Sequence, residues 1–146
     1  MCMIVDANKL GSLLSDKPTA DVVPIHDWLN KRSGKLVYST DGGFADEAGG
    51  RSAKRLAGYA RAGRATVIPT EAFAEDERQL RNNKGLRSDD PHVLALARYS
   101  RARVLYTADA DLIRDFKDKQ FIAKPRGKVY SGSQNARLLT RSTCRL

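Results

Sequence analysis

The order of apolar runs predicts an α/β fold of three layers, an α/β/α sandwich with a mainly parallel central sheet of about five strands. Three observations lead there. Short apolar runs alternate with longer amphipathic stretches along most of the chain. The short runs are β-branched or aromatic with little internal polarity, as strands covered on both faces are. A βαβα order closes into a parallel sheet with right-handed crossovers and helices on both sides. At 146 residues the chain suffices for one such domain and is short for two.

In chain order, CMIV is read as the first strand, followed by helices over Lys9 to Leu14 and Thr19 to Asn30. KLVYS is the second strand and ATVIP the third, with a helix over Ser52 to Ala62 between them. Helices over Glu71 to Asn82 and Pro91 to Ser100 come next. In the latter, Val93, Leu94, Leu96, Ala97 and Ser100 recur at helical spacing behind Asp90 as N-cap and Pro91 at the first helical position. RVLYT is the fourth strand, Asp111 to Lys117 the last helix, and QFIA the fifth strand. Beyond Ala123 the alternation fades into a Gly-, Ser- and Arg-rich stretch. The domain is therefore placed at residues 1–123 and a basic C-terminal arm at 124–146.

Composition narrows the function classes. No apolar run approaches the roughly 20 residues of a spanning helix, and MCMIVDANK carries an Asp where a signal peptide needs its apolar region. A cytoplasmic protein with no membrane partner is the expectation. Cys2 and Cys144 stand at opposite ends without metal-ligand spacing, so reduced thiols are expected rather than a disulfide framework or a zinc site. The 26 Lys and Arg outnumber the 17 Asp and Glu, giving a net charge of +9. Lys124, Arg126, Lys128, Arg137, Arg141 and Arg145 supply six of those nine charges from a tail without acids. Such a surface concentrates polyanions, and phosphate neutralisation is the sequence-independent part of nucleic-acid affinity. Arg126, Lys128 and Arg137 are the candidate phosphate contacts.

The acids fall where an α/β fold does its chemistry, outside the carboxyl ends of the strands. Asp6 ends the first strand, Asp109 and Asp111 follow the fourth, and Asp90 stands at the amino end of the helix before that strand. Glu47, with Asp46 and Asp41 as competitors, follows the second strand. Each acid has a plainer reading as a helix cap or turn residue. Together they deliver carboxylates from four connections to one sheet edge. Two like charges 4 Å apart repel by about 4 kcal/mol at an effective dielectric of 20, so the cluster calls for protons or cations. Hard oxygen ligands with little histidine suit Mg²⁺ or Mn²⁺. A cation held there beside a phosphodiester is the chemistry of metal-assisted hydrolysis.

MIVDAN, SDDPHVLALA and LYTADADL, in that order and on those elements, resemble the PIN-domain nucleases, especially the compact bacterial toxins of toxin-antitoxin pairs. The resemblance covers roughly Met3 to Ile122. It implies a PIN-like sandwich and a metal-dependent endoribonuclease with Asp6, Glu47, Asp90 and Asp109 as catalytic acids. Asp111 matches an additional metal-site acid, and Asn8 and Thr107 match supporting polar positions. It also implies RNA as substrate, an antitoxin protein as partner, and a homodimer. One segment departs from the pattern: STDGGFADEAGG holds four glycines where the family has a regular helix. Each costs about 1 kcal/mol against alanine in a helix interior, so a loop carrying Glu47 or Asp46 is the competing expectation.

Two alternatives compete. A non-catalytic nucleic-acid-binding or scaffolding module would share this fold and charge. A receiver-like phosphoacceptor would use Asp6, Thr107 and the Lys124-Pro125 pair, yet ATVIPT ends without the aspartate that would accept the phosphoryl group. His92 is read as a surface or helix-end residue, and Trp28 as a packing residue.

Overall fold

Alternate positions of the inner strands feed two different cores. The computed structural model describes residues 2–39 and 43–140, apart from the side chains of residues 43–49. Its elements are β1 (Cys2–Val5), α1 (Ala7–Leu13), α2 (Val23–Lys31), β2 (Lys35–Tyr38), α3 (Gly43–Arg61), β3 (Ala65–Val67), α4 (Ala74–Arg81), α5 (Pro91–Ser100), β4 (Val104–Tyr106), α6 (Ala110–Lys117) and β5 (Lys128–Tyr130). Short 3-10 turns cover Thr70–Ala72 and Ser133–Leu138. Cys2, Ile4, Val37 and Leu105 face a core with Leu80 of α4, Val93 and Leu96 of α5 and Leu112 and Phe116 of α6. Met3, Val5, Leu36, Tyr38, Val104 and Tyr106 face the other core, with Leu10 and Leu13 of α1, Trp28 and Leu29 of α2 and Leu56 of α3. Period two on buried strands, with apolar residues at both parities, thus yields the three-layer sandwich.

All pairings are parallel and the order is β3-β2-β1-β4-β5. Strand order reverses between β1 and β4, which makes their carboxyl ends the crevice where α/β sheets hold ligands.

Four of the five strand readings hold and the fifth is corrected. QFIA is not a strand; β5 is formed by Lys128–Tyr130, inside the stretch read as the arm. Phe121 and Ile122 are buried in the core instead, so their apolarity serves packing without a ladder. This shift removes the lysine from the receiver-like reading, since Lys124 precedes β5 rather than following it. Gly127 lets this connection lie against α6, because a Cβ there would collide with the Phe116 carbonyl. The glycine-rich segment after β2 is helical from Gly43 onward, so position 47 lies on a regular helix and not on a loop. The last described residues are tied back by Trp28, whose indole N–H donates to the Thr140 carbonyl at 2.6 Å.

Cys2 is disulfide-bonded, which overturns the expectation of reduced thiols. Cys144, the chain's other cysteine, lies outside the described residues. Among the described residues no helix is long and apolar enough to cross a membrane.

Candidate acidic site at the switch point

β1 and β4 run in register, Val5 opposite Tyr106, so the next residues on each strand, Asp6 and Thr107, leave the sheet side by side. The Asp6 amide donates to the Tyr106 carbonyl at 2.9 Å, and the Thr107 hydroxyl donates to the Asp6 carboxylate at 2.6 Å. Thr107 is fully buried and Asp6 only 5% exposed. The same hydroxyl accepts the Asp109 amide at 3.0 Å, so one threonine sets both aspartates.

Three aspartates hold the N-cap positions of α1, α5 and α6, yet only one of them caps. Asp109 accepts the amides of Asp111 and Leu112 at 2.9 and 3.2 Å, as its plainer reading requires. Asp6 and Asp90 make no side-chain cap bond. Asp6 turns to Thr107 instead. Asp90 is partly buried, and its carboxyl is pushed up to about 6, first by burial, then by the charges of Asp6, Asp109 and Asp89. Thr107 joins Asp6 to Asp109, and the charges of both reach Asp90, so acids from three separate connections share the mouth beside the β1–β4 seam. The amino ends of α1, α5 and α6 open at that mouth, and their dipoles offset part of the crowded negative charge.

The remaining predicted site residues divide. Asp111 is exposed on the first turn of α6 and is not among the charges that raise Asp90. Asn8 is exposed on the first turn of α1. The backbone of Glu47 and Asp46 is on α3, after β2, but their side chains, and all of Asp41, lie outside the described residues. Arg126, Lys128 and Arg137 come together around one hollow of about 480 Å³, but toward the opposite edge of the sheet. Lys128 opens β5 beside Val104, and Arg126 donates to the carbonyl of Lys117 at the far end of α6 from Asp109. His92 is buried near the start of α5.

Three participants escaped the sequence reading. Asp89 adds to the field on Asp90, and only its place in SDDP hinted at this. Lys9 stands 5.5 Å from the centre of the Tyr106 ring, a cation held beside the Asp6 turn. Asp115, 2% exposed on α6, accepts the amides of Arg87 and Ser88, the latter at 2.8 Å. It therefore ties the segment that presents Asp90 to the helix that begins at Asp109. An acid in the second half of an amphipathic helix carries no sign in sequence that its partners are backbone amides far away.

The donor chemistry at the mouth, carboxylate oxygens in a negative field only partly offset by Lys9 and the helix amino ends, fits a hard divalent cation. Among the described residues, however, no three His, Cys, Asp or Glu side chains form a group that could hold a metal ion by themselves. No family model, curated protein or solved structure matches the chain.

Proposed function

We propose that the protein is a metal-dependent endoribonuclease whose Asp6, Asp90 and Asp109 hold Mg²⁺ or Mn²⁺, with Glu47 completing the set from α3. The pairing of Asp6 with Asp109 through Thr107 at the switch point carries this reading, and the Asp90 carboxyl, raised first by burial and then by those two charges, supports a counter-cation site beside them. A bound divalent ion would supply Lewis acidity toward a phosphodiester. The chain's own residues supply order. Thr107 fixes the Asp6 carboxylate, and the first amides of α6 fix Asp109, so neither needs to be immobilised when substrate arrives. Asp111 would stand at the rim. An antitoxin partner, a homodimer and a toxin role belong to this reading through the PIN-domain resemblance alone.

The test is incubation of the pure protein with unstructured and structured RNAs, with Mn²⁺ and with chelator. Cleavage that chelator abolishes is expected, and Asp6→Asn should lower it by more than about 100-fold, since loss of a ligand should exceed the loss of a ligand's support. Undiminished cleavage by a folded Asp6→Asn protein, or indifference to chelator, sinks the assignment. RNA bound and never cut instead supports a second reading, a non-catalytic RNA-binding module, which is favoured by the absence of a ready-made three-ligand group among the described residues.

A further inference from the structure

The basic residues are not scattered. Lys117, Arg126, Lys128 and Arg137 line the 480 Å³ hollow, and Arg87, Arg114, Lys117, Lys119 and Arg126 line a second one of about 560 Å³. Lys117 and Arg126 belong to both, so the two hollows adjoin across these side chains. The run begins at Arg87, three residues before Asp90, follows the flank of α6 and ends at Arg137 behind the amino end of β5.

Two acids lie along the run, outnumbered by the cations beside them, and their oxygens are bonded to backbone amides. Asp115 is buried against the amides of Arg87 and Ser88, and Asp118 accepts the Gln120 amide at 2.8 Å. Helix capping accounts for one bond of Arg126, to the Lys117 carbonyl at 3.0 Å, and for nothing in Lys128 or Arg137. None of the lining cations is ion-paired among the described residues. Like charges gathered around a concave surface focus the field and favour a polyanion.

We propose that this run is a phosphate-reading track for single-stranded RNA, which leads the strand along α6 to the acidic mouth; it rests on the nuclease reading for its purpose and not for its existence. Each hollow is larger than a lone phosphate needs, and the pair together suits several successive ones. No aromatic ring lines either hollow, so base stacking is left to arginine planes and contact falls mainly to the backbone. The same lack removes the aromatic anchors on which protein partners usually depend, which sets RNA ahead of an acidic peptide. Binding along the track should therefore be insensitive to base sequence and steeply sensitive to salt.

The experiment measures RNA binding in chelator, where cleavage plays no part. Labelled uridine and mixed-sequence oligonucleotides of about twelve nucleotides, within the span of single-strand sites, are titrated over a salt series. Wild-type protein is compared with Lys128→Ala, Arg137→Ala and the double variant, all on exposed positions. The double variant should bind about tenfold more weakly, and its slope of log affinity against log salt should flatten by roughly 1.4, two phosphates at about 0.7 each. Unchanged affinity and slope in a folded double variant overturns the track, as does preference of the wild type for polyglutamate over RNA. If the wild type binds as described yet never cleaves with Mn²⁺, the track stands and the nuclease reading falls.

Discussion

The acidic mouth and the basic track each gather like charges, and they differ in how far water reaches them. At the mouth, burial and neighbouring carboxylates push Asp90 up to about 6. Along the track, Lys117, Arg126, Lys128 and Arg137 are all exposed, and water screens them from one another. The difference is one of dielectric: repulsion is strong where the fold has removed solvent and weak where it has not. The mouth therefore stores a cost that a bound cation would relieve. The track stores little, and it can wait for a polyanion without straining the fold.

Asp115 connects the two regions, so removing it is the most damaging way to break the comparison. Its carboxylate, 2% exposed, holds the amides of Arg87 and Ser88 through charge-assisted bonds. Asp115→Ala leaves two amides without that acceptor, and the expected loss is about 2–4 kcal/mol, read as a lower urea midpoint at unchanged slope. Asp115→Asn, which retains one acceptor oxygen, should lose less. A midpoint for Asp115→Ala within about 0.5 kcal/mol of wild type shows that the Arg87–Ser88 segment is held by something else.

Asp90 tests the stored cost directly. Its folded carboxyl keeps a proton to a higher pH than the unfolded chain does, so its share of stability is full below the ordinary aspartate value of 3.8 and is lost as pH rises through about 6. Asp90→Asn removes that loss. Without divalent cations the variant should match wild type near pH 3.8 and exceed it above pH 6. After discounting for the solvent that reaches this partly buried group, the gain is about 1–2 kcal/mol, or roughly 3–6 °C in melting temperature. A variant that parallels wild type across this range means that neither burial nor the charges of Asp6 and Asp109 press on Asp90.

Legibility in the sequence followed the length of the physical signal. The alternation of apolar runs located β1 to β4 and the helices, because two buried faces impose apolar residues at both parities. QFIA misled because four apolar or neutral residues satisfy a buried turn as well as a strand, whereas KVY, with a lysine at its exposed end, looked like arm. The placement of Asp6, Asp90 and Asp109 at helix starts was legible, since strand ends and helix caps are local features. The position of the track was not, because it depends on which edge of the sheet Arg126, Lys128 and Arg137 reach, and that follows from the misread strand. Helix propensity also lost to context over Gly43–Arg61, where the chain is helical despite its glycines.

The smallest expected effect is at Lys128, and its smallness is the point. The residue is exposed and opens an edge strand, and among the described residues it forms no ion pair. Lys128→Ala should leave stability within about 0.5 kcal/mol of wild type at low salt and at high salt. Relief of repulsion from Arg126 and Arg137 is already supplied by solvent, so adding salt gives no further gain. A clear rise in melting temperature for Lys128→Ala, vanishing as salt is added, would mean that the track is as strained as the mouth. The contrast between a desolvated acidic pole and a solvated basic one would then fail.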